Sequence, residues 1–75
     1  MSMGRTLKAL RKMRGLTQAE LAARMRLSRT SIANIEAGRQ TITVQTLYEF
    51  ADALGYDVKM QFKPNGDWND EQRNG

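Results

Sequence analysis

The chain has 75 residues with no cysteine and no histidine, and twelve Lys and Arg against eight Asp and Glu give it a net charge of +4. That length means one small domain, which needs tight helix packing or a second subunit to be stable. The composition excludes disulfides and any His/Cys metal site, and no apolar run approaches a membrane span or signal-peptide core, so a soluble, cytoplasmic protein with no metal, no cofactor and no membrane partner is expected.

In chain order, residues Gly4 to Arg14 predict a first helix, with Leu7, Leu10 and Arg11 recurring at three- and four-residue spacing and Lys8 and Lys12 turned to solvent. Met1-Ser2-Met3 is given no structural role, and Gly15 supplies the stop. Thr17-Gln18-Ala19-Glu20 reads as a capping box opening a second helix through Leu21, Ala22 and Met25, with Leu16 placed to staple onto Leu21. Ser28 caps a third helix from Arg29 to Ala37, whose buried face is Ile32 and Ile35 and whose stop is Gly38. So short a connection between the second and third helices forces a sharp corner. Thr43 caps a fourth helix to about Leu54, carrying Val44, Leu47, Phe50, Ala51 and Leu54 on one face before Gly55. The period then changes to two: Tyr56, Val58, Met60 and Phe62 alternate with Asp57, Lys59, Gln61 and Lys63, which predicts a strand. Pro64-Asn65-Gly66 breaks it, and an acidic, disordered tail is expected over 64–75, with Trp68 as its one aromatic.

The charges are unevenly spread. Residues 1–39 hold nine bases against two acids, a balance of +7, whereas residues 40–75 hold three bases against six acids, a balance of −3. Seven of the nine bases are arginine, whose planar fork suits phosphates and base edges better than general solubility does. A basic half joined to a mildly acidic one implies a polyanion-facing surface and a second surface for something else. No nucleophile–base pair, carboxylate dyad or Gly-rich phosphate loop stands out, so no enzymatic activity is expected.

The run from Gly15 to Gly38, GLTQAELAARMRLSRTSIANIEAG, resembles the helix-turn-helix of phage-repressor and Cro-like regulators, the Xre family. The pattern matches at Leu16-Thr17-Gln18, Glu20-Leu21-Ala22, Leu27-Ser28, Ser31-Ile32, Ile35-Glu36 and Gly38, and more loosely over Leu7 to Leu54. The resemblance implies an all-α, lambda-repressor-like bundle of four helices and sequence-specific binding of double-stranded DNA at a palindromic operator. On that reading the third helix enters the major groove, where arginine pairs with guanine, asparagine with adenine, and a threonine methyl meets that of thymine. Arg29, Thr30 and Asn34 are therefore the expected base readers, with Ser31 assisting, while Ala33 and Ala37 allow close approach. Gln18, Ser28, Arg39, Gln40 and Thr41 are the expected phosphate contacts, Gln18 because the family places a phosphate-binding glutamine there; Lys12 and Arg14 are weaker candidates. The family also pairs an arginine of the first helix with the glutamate closing the third, and Arg11 and Glu36 match those positions as a structural ion pair. At the corner, where the family commonly has glycine, this chain has Arg26. Left-handed geometry there costs about 1 kcal/mol, and of the two outcomes, an adjusted turn or strain accepted for a phosphate contact, the first is expected.

The segment TVQTLYEFADALGYDVKMQF resembles the end of HipB-type antitoxins, in which each subunit lends a strand to a sheet across the dimer. That resemblance implies a homodimer joined through Tyr56, Val58, Met60 and Phe62, and it admits a toxin protein as a possible partner. The chain thus divides into a DNA-binding domain with its dimerisation strand over 1–63 and a tail over 64–75. A dimeric, autoregulatory repressor is the expected function; a HipB-type antitoxin that also represses its operon, or a restriction–modification controller, is the alternative.

Overall fold

The computed structural model describes residues 2–68, and its order is four helices: α1 (Met3–Met13), α2 (Gln18–Met25), α3 (Arg29–Glu36) and α4 (Val44–Ala53). Each helix opens on a hydroxyl cap. The side chains of Ser2, Thr17, Ser28 and Thr43 accept from the backbone N–H groups of Arg5, Glu20, Ser31 and Thr46, satisfying one otherwise orphaned donor apiece. At α2 the exchange is reciprocal, because the Glu20 carboxylate accepts from the Thr17 N–H at 2.9 Å. These bonds, with the Thr17 backbone first, hold the exposed Glu20 carboxyl below its ordinary value. Ser2 corrects the sequence reading: the first helix begins at Met3 rather than Gly4, because Ser2 is its cap.

The apolar faces meet in one core of Leu7, Leu21, Ala22, Ile32, Ile35, Phe50 and Leu54, with Phe50, Leu21 and Ile32 wholly buried. Leu10, Leu16, Met25, Ile42, Leu47 and Tyr56 pack around it. α2 lies most heavily on α3, α1 crosses α3, and α4 closes the other side against α2. The α1–α3 crossing is unusually close. A methyl group at Gly4 would meet the backbone carbonyl of Glu36 at 2.7 Å, so only glycine admits that approach.

The corner between α2 and α3 overturns one expectation. Arg26 sits at φ 57°, ψ 38°, in the left-handed region, so the turn keeps the shape that glycine would adopt and the arginine bears the strain. The Leu27 N–H still reaches the Ala22 carbonyl at 2.9 Å, which closes the end of α2 as a glycine would.

Beyond Gly55 the chain leaves the body. Tyr56 and Val58 are half-buried, and the rest of 57–68 is exposed, with Phe62 at 95%. The radius of gyration, 16.5 Å, exceeds the roughly 11 Å of a compact chain this long. No residue of 56–63 belongs to a strand ladder within this one chain. Pro64 to Trp68 continue exposed, with an Asx turn in which Asn65 accepts from the Asp67 N–H at 2.8 Å; of the expected tail, 69–75 lie outside the described residues. No helix among the described residues is long and apolar enough to cross a membrane.

Candidate nucleic-acid interface

α3 divides cleanly by period. Ile32 and Ile35 go into the core, while Arg29, Thr30 and Ala37 are exposed and Ser31, Ala33 and Asn34 are half-exposed on the outer side. The helix and its C-cap therefore present one guanidinium, two hydroxyls (one with a methyl beside it), one amide and two alanines along a ridge free of acids. Ser28 and Ser31 are brought together at its start: the Ser28 hydroxyl donates to that of Ser31 at 3.0 Å and accepts from the Ser31 N–H at 3.1 Å. The Ser31 hydroxyl keeps its own proton for another partner.

Behind the ridge lies the buried pair. Arg11 Nε donates to Glu36 Oε2 at 2.7 Å and Nη2 to Oε1 at 2.9 Å, and Nη1 donates to the Leu16 carbonyl at 2.7 Å. The side chains are 8% and 2% exposed, so the pair is bidentate and nearly dry. Burial alone would push the Glu36 carboxyl up; the Arg11 and then the Gln18 hydrogen bonds outweigh it, and with the charges of Arg11 and Lys8 they hold the group below its ordinary value. Its bond to Glu36 likewise raises Arg11, against the opposing effect of burial. The result is a charged brace from the last turn of α1 to the last residue of α3, which sets the tilt of the ridge.

Gln18, the first residue of α2, joins brace and ridge. Its Nε2 donates to Glu36 Oε1 at 3.2 Å, and its Oε1 accepts from Arg29 Nη1 at 3.3 Å. Neither bond was foreseen from the sequence. The available signal was positional, since Gln18 and Arg29 are the first residues of successive capped helices that meet at a corner.

Arg39, Gln40 and Thr41 follow α3 and are all exposed, with Gln40 and Thr41 edging a groove whose apolar side is Ile35, Ile42, Val44 and Leu47. The remaining arginines part ways. Arg14 turns to the far end of the molecule, donating to the Leu54 and Gly55 carbonyls at 2.8 and 3.2 Å and stacking 4.2 Å over the Tyr56 ring. Arg24 donates to the Ala53 carbonyl at 3.3 Å, and Arg26 borders a shallow depression with Arg24, Glu49 and Asp52 on the α4 flank. Tyr56 and Val58 rest against the body, whereas Met60 and Phe62 project from it.

Residues 7–59 match the family model described as Helix-turn-helix, HTH_3. The chain is 45% identical over 58 residues to the immunity repressor protein of Bacillus phage phi105, a match covering 77% of this chain and 40% of that one. It is 50% identical over 46 residues to the HTH-type transcriptional regulator y4dJ of Sinorhizobium fredii, covering 61% and 60%. The chain therefore corresponds to less than two thirds of either relative's length. Among solved structures it is similar to the clp gene regulator ClgR of C. glutamicum, with a TM-score of 0.71 and 33% identity over 73% of this chain and 70% of that one.

Proposed function

The chain belongs to the HTH_3 helix-turn-helix family, and from that membership we propose that it binds double-stranded DNA at a palindromic operator, as a two-fold homodimer, and represses transcription. The observation that carries the reading is the outer ridge of α3, where Arg29, Thr30 and Asn34 stand on a short capped helix with no acid among them and a buried ion pair behind. A B-DNA major groove admits one such helix, and this set of side chains meets the donors, acceptors and methyl groups displayed there. Arg29, Thr30, Asn34 and Ser31 read bases. Gln18, Ser28, Arg39, Gln40 and Thr41 hold phosphates on either side, fixing register without carrying sequence information. The similarity to a protein named as an immunity repressor supports repression over activation. A ridge of hydrogen-bonding groups and methyls along a helix supports a binding protein rather than an enzyme, and an operator as its target supports a cytoplasmic location.

The arm after Gly55 supports the dimer. An antiparallel pairing of 56–62 with the same segment of a second copy bonds the facing backbone groups of both strands and gathers Met60 and Phe62 of the two copies on one apolar face. A dimer also suits the ridge, since two recognition helices about 34 Å apart meet successive major grooves on one side of the duplex.

The test is a salt series on DNA selected from a random pool by the purified protein. Affinity should fall linearly on logarithmic axes, by about 0.9 in slope per phosphate neutralised. Arg29→Ala should cost about 1–3 kcal/mol on the selected sequence and relax preference at one position per half-site. A flat salt response rejects DNA binding; equal weakening on selected and random DNA makes Arg29 a phosphate contact.

A further inference from the structure

The last turn of α4 has no basic residue of its own, yet three successive carbonyls at its end accept from arginines of other helices. Arg24 of α2 donates to Ala53, and Arg14, the C-cap of α1, donates to Leu54 and Gly55. Carbonyls at a helix end have no partner inside the helix, and the helix dipole favours a cation beside them. The two arginines nevertheless hold different things, because the chain turns out of α4 at Gly55, where φ is 75°. Arg24 bonds the helix, whereas Arg14 bonds the turn itself. The Arg14 guanidinium also lies 4.2 Å over the ring of Tyr56, the first residue of the arm. In the backbone, the Tyr56 N–H donates to the Ala51 carbonyl at 2.9 Å. The arm thus leaves the body at an angle defined jointly by α4 and by the end of α1.

We propose that Arg14 is a positioning residue for half-site spacing: it fixes the angle of the arm against the body, and so the separation at which a dimer engages two half-sites. This role rests on the reading of the chain as a DNA-binding dimer joined through its arms. In such a dimer, an error of angle at the turn is carried outward to each ridge. Two reading helices about 34 Å apart each stand about 17 Å from the two-fold axis. A tilt of about 10° over that length moves a ridge by about 3 Å, close to the rise of one base pair. A firmly held turn therefore distinguishes one spacing from the next, and a loose one does not. A phosphate contact by Arg14 would instead strengthen binding at every spacing alike.

The experiment measures affinity for the selected operator and for versions with its half-sites one or two base pairs closer together or farther apart. The proteins are wild type, Arg14→Met, Arg14→Lys and Arg24→Met. Arg14 is exposed, and methionine keeps an unbranched stem beside the Tyr56 ring, so the fold should survive. Wild type should prefer the selected spacing, and Arg14→Met should reduce that preference by roughly three- to tenfold, the range of one coupled contact. Base preference within each half-site should stay as in wild type. Lysine keeps the charge but not the fork, and should recover only part of the spacing preference. Arg24→Met removes an equal charge from the same end of α4 without touching the turn, and should keep the wild-type preference. Equal weakening at every spacing in Arg14→Met would make Arg14 a phosphate contact and overturn the proposal. Relaxation as large in Arg24→Met would overturn it too. A readout without DNA is available because the chain has no cysteine. A spin label at Ala9→Cys, exposed on α1, reports the distance between the two bodies of the free dimer. Arg14→Met should broaden that distance distribution, and equal widths in both proteins would overturn the proposal. A wild type with no label-to-label distance would reject the dimer itself, and the positioning role with it.

Discussion

Residues 2–55 and residues 56–63 carry equally regular patterns and come to different ends. In the first stretch every helix starts on a hydroxyl cap, and the apolar faces meet in one core. In the second, Tyr56, Val58, Met60 and Phe62 alternate with polar residues just as faithfully, yet exposure rises along the row until Phe62 is almost bare. The reason is where each element finds its hydrogen bonds. A helix closes its own backbone within the segment, so a local pattern and a nearby core suffice. A strand cannot, and an alternating row with no second strand beside it has no backbone partners within the segment to hold it down.

Substitutions at matched aromatic positions test this contrast most severely. Phe50→Ala, at a wholly buried site, should cost about 3–5 kcal/mol of folding stability by urea denaturation. Phe62→Ala should change the folding of dilute protein by less than about 0.5 kcal/mol, while Phe62→Lys should shift sedimentation toward monomer. A folding loss at Phe62 comparable to that at Phe50 would mean that the arm packs on its own body and the two regions do not differ.

Next in size is the brace. Arg11→Ala or Glu36→Ala strands a buried charge and should cost about 3 kcal/mol, with the double variant losing less than the sum. Because folding holds the Glu36 carboxyl below its ordinary value of 4.5, its contribution is fully present above that pH and is lost as pH falls through the lower folded value. Melting temperature should therefore drop below about pH 4.5, and Glu36→Gln should flatten that decline. An undiminished decline would place the acid sensitivity elsewhere.

The smallest effect lies at the corner. Arg26→Gly removes a left-handed strain of about 1 kcal/mol, but glycine returns part of that through its freedom in the unfolded chain. A net gain below about 1 kcal/mol is expected, read as a slightly higher melting temperature. A loss would show that the Arg26 side chain stabilises the fold from the α4 flank.

What could be read from the sequence follows the same division. The four helices, their caps and the core face were legible because each signal lies within a few residues of its effect. The Ser2 cap was local too, and was missed because the first three residues were given no role. Arg11 and Glu36 were singled out only through a family resemblance, since nothing in their spacing relates them. The bonds of Gln18 to Glu36 and of Arg14 to Leu54 and Gly55 join residues 18, 40 and 41 positions apart and have no sequence period. The left-handed Arg26 ran against propensity: five-residue contacts such as Leu27 to Ala22 fix the corner, and the side chain follows.

Arg14 gives the molecule a mechanical property as well. The arm takes off at Gly55 and Tyr56, and there one guanidinium is bonded to two successive carbonyls and stacked on the next ring. A load applied to the arm by a partner enters the body at this rivet and passes directly to the end of α1. α1 is also the helix that carries Arg11, three residues earlier. Traction on the arm and the tilt of α3 therefore share one rigid strut, and the two ends of the protein are joined by a lever under one turn of helix long.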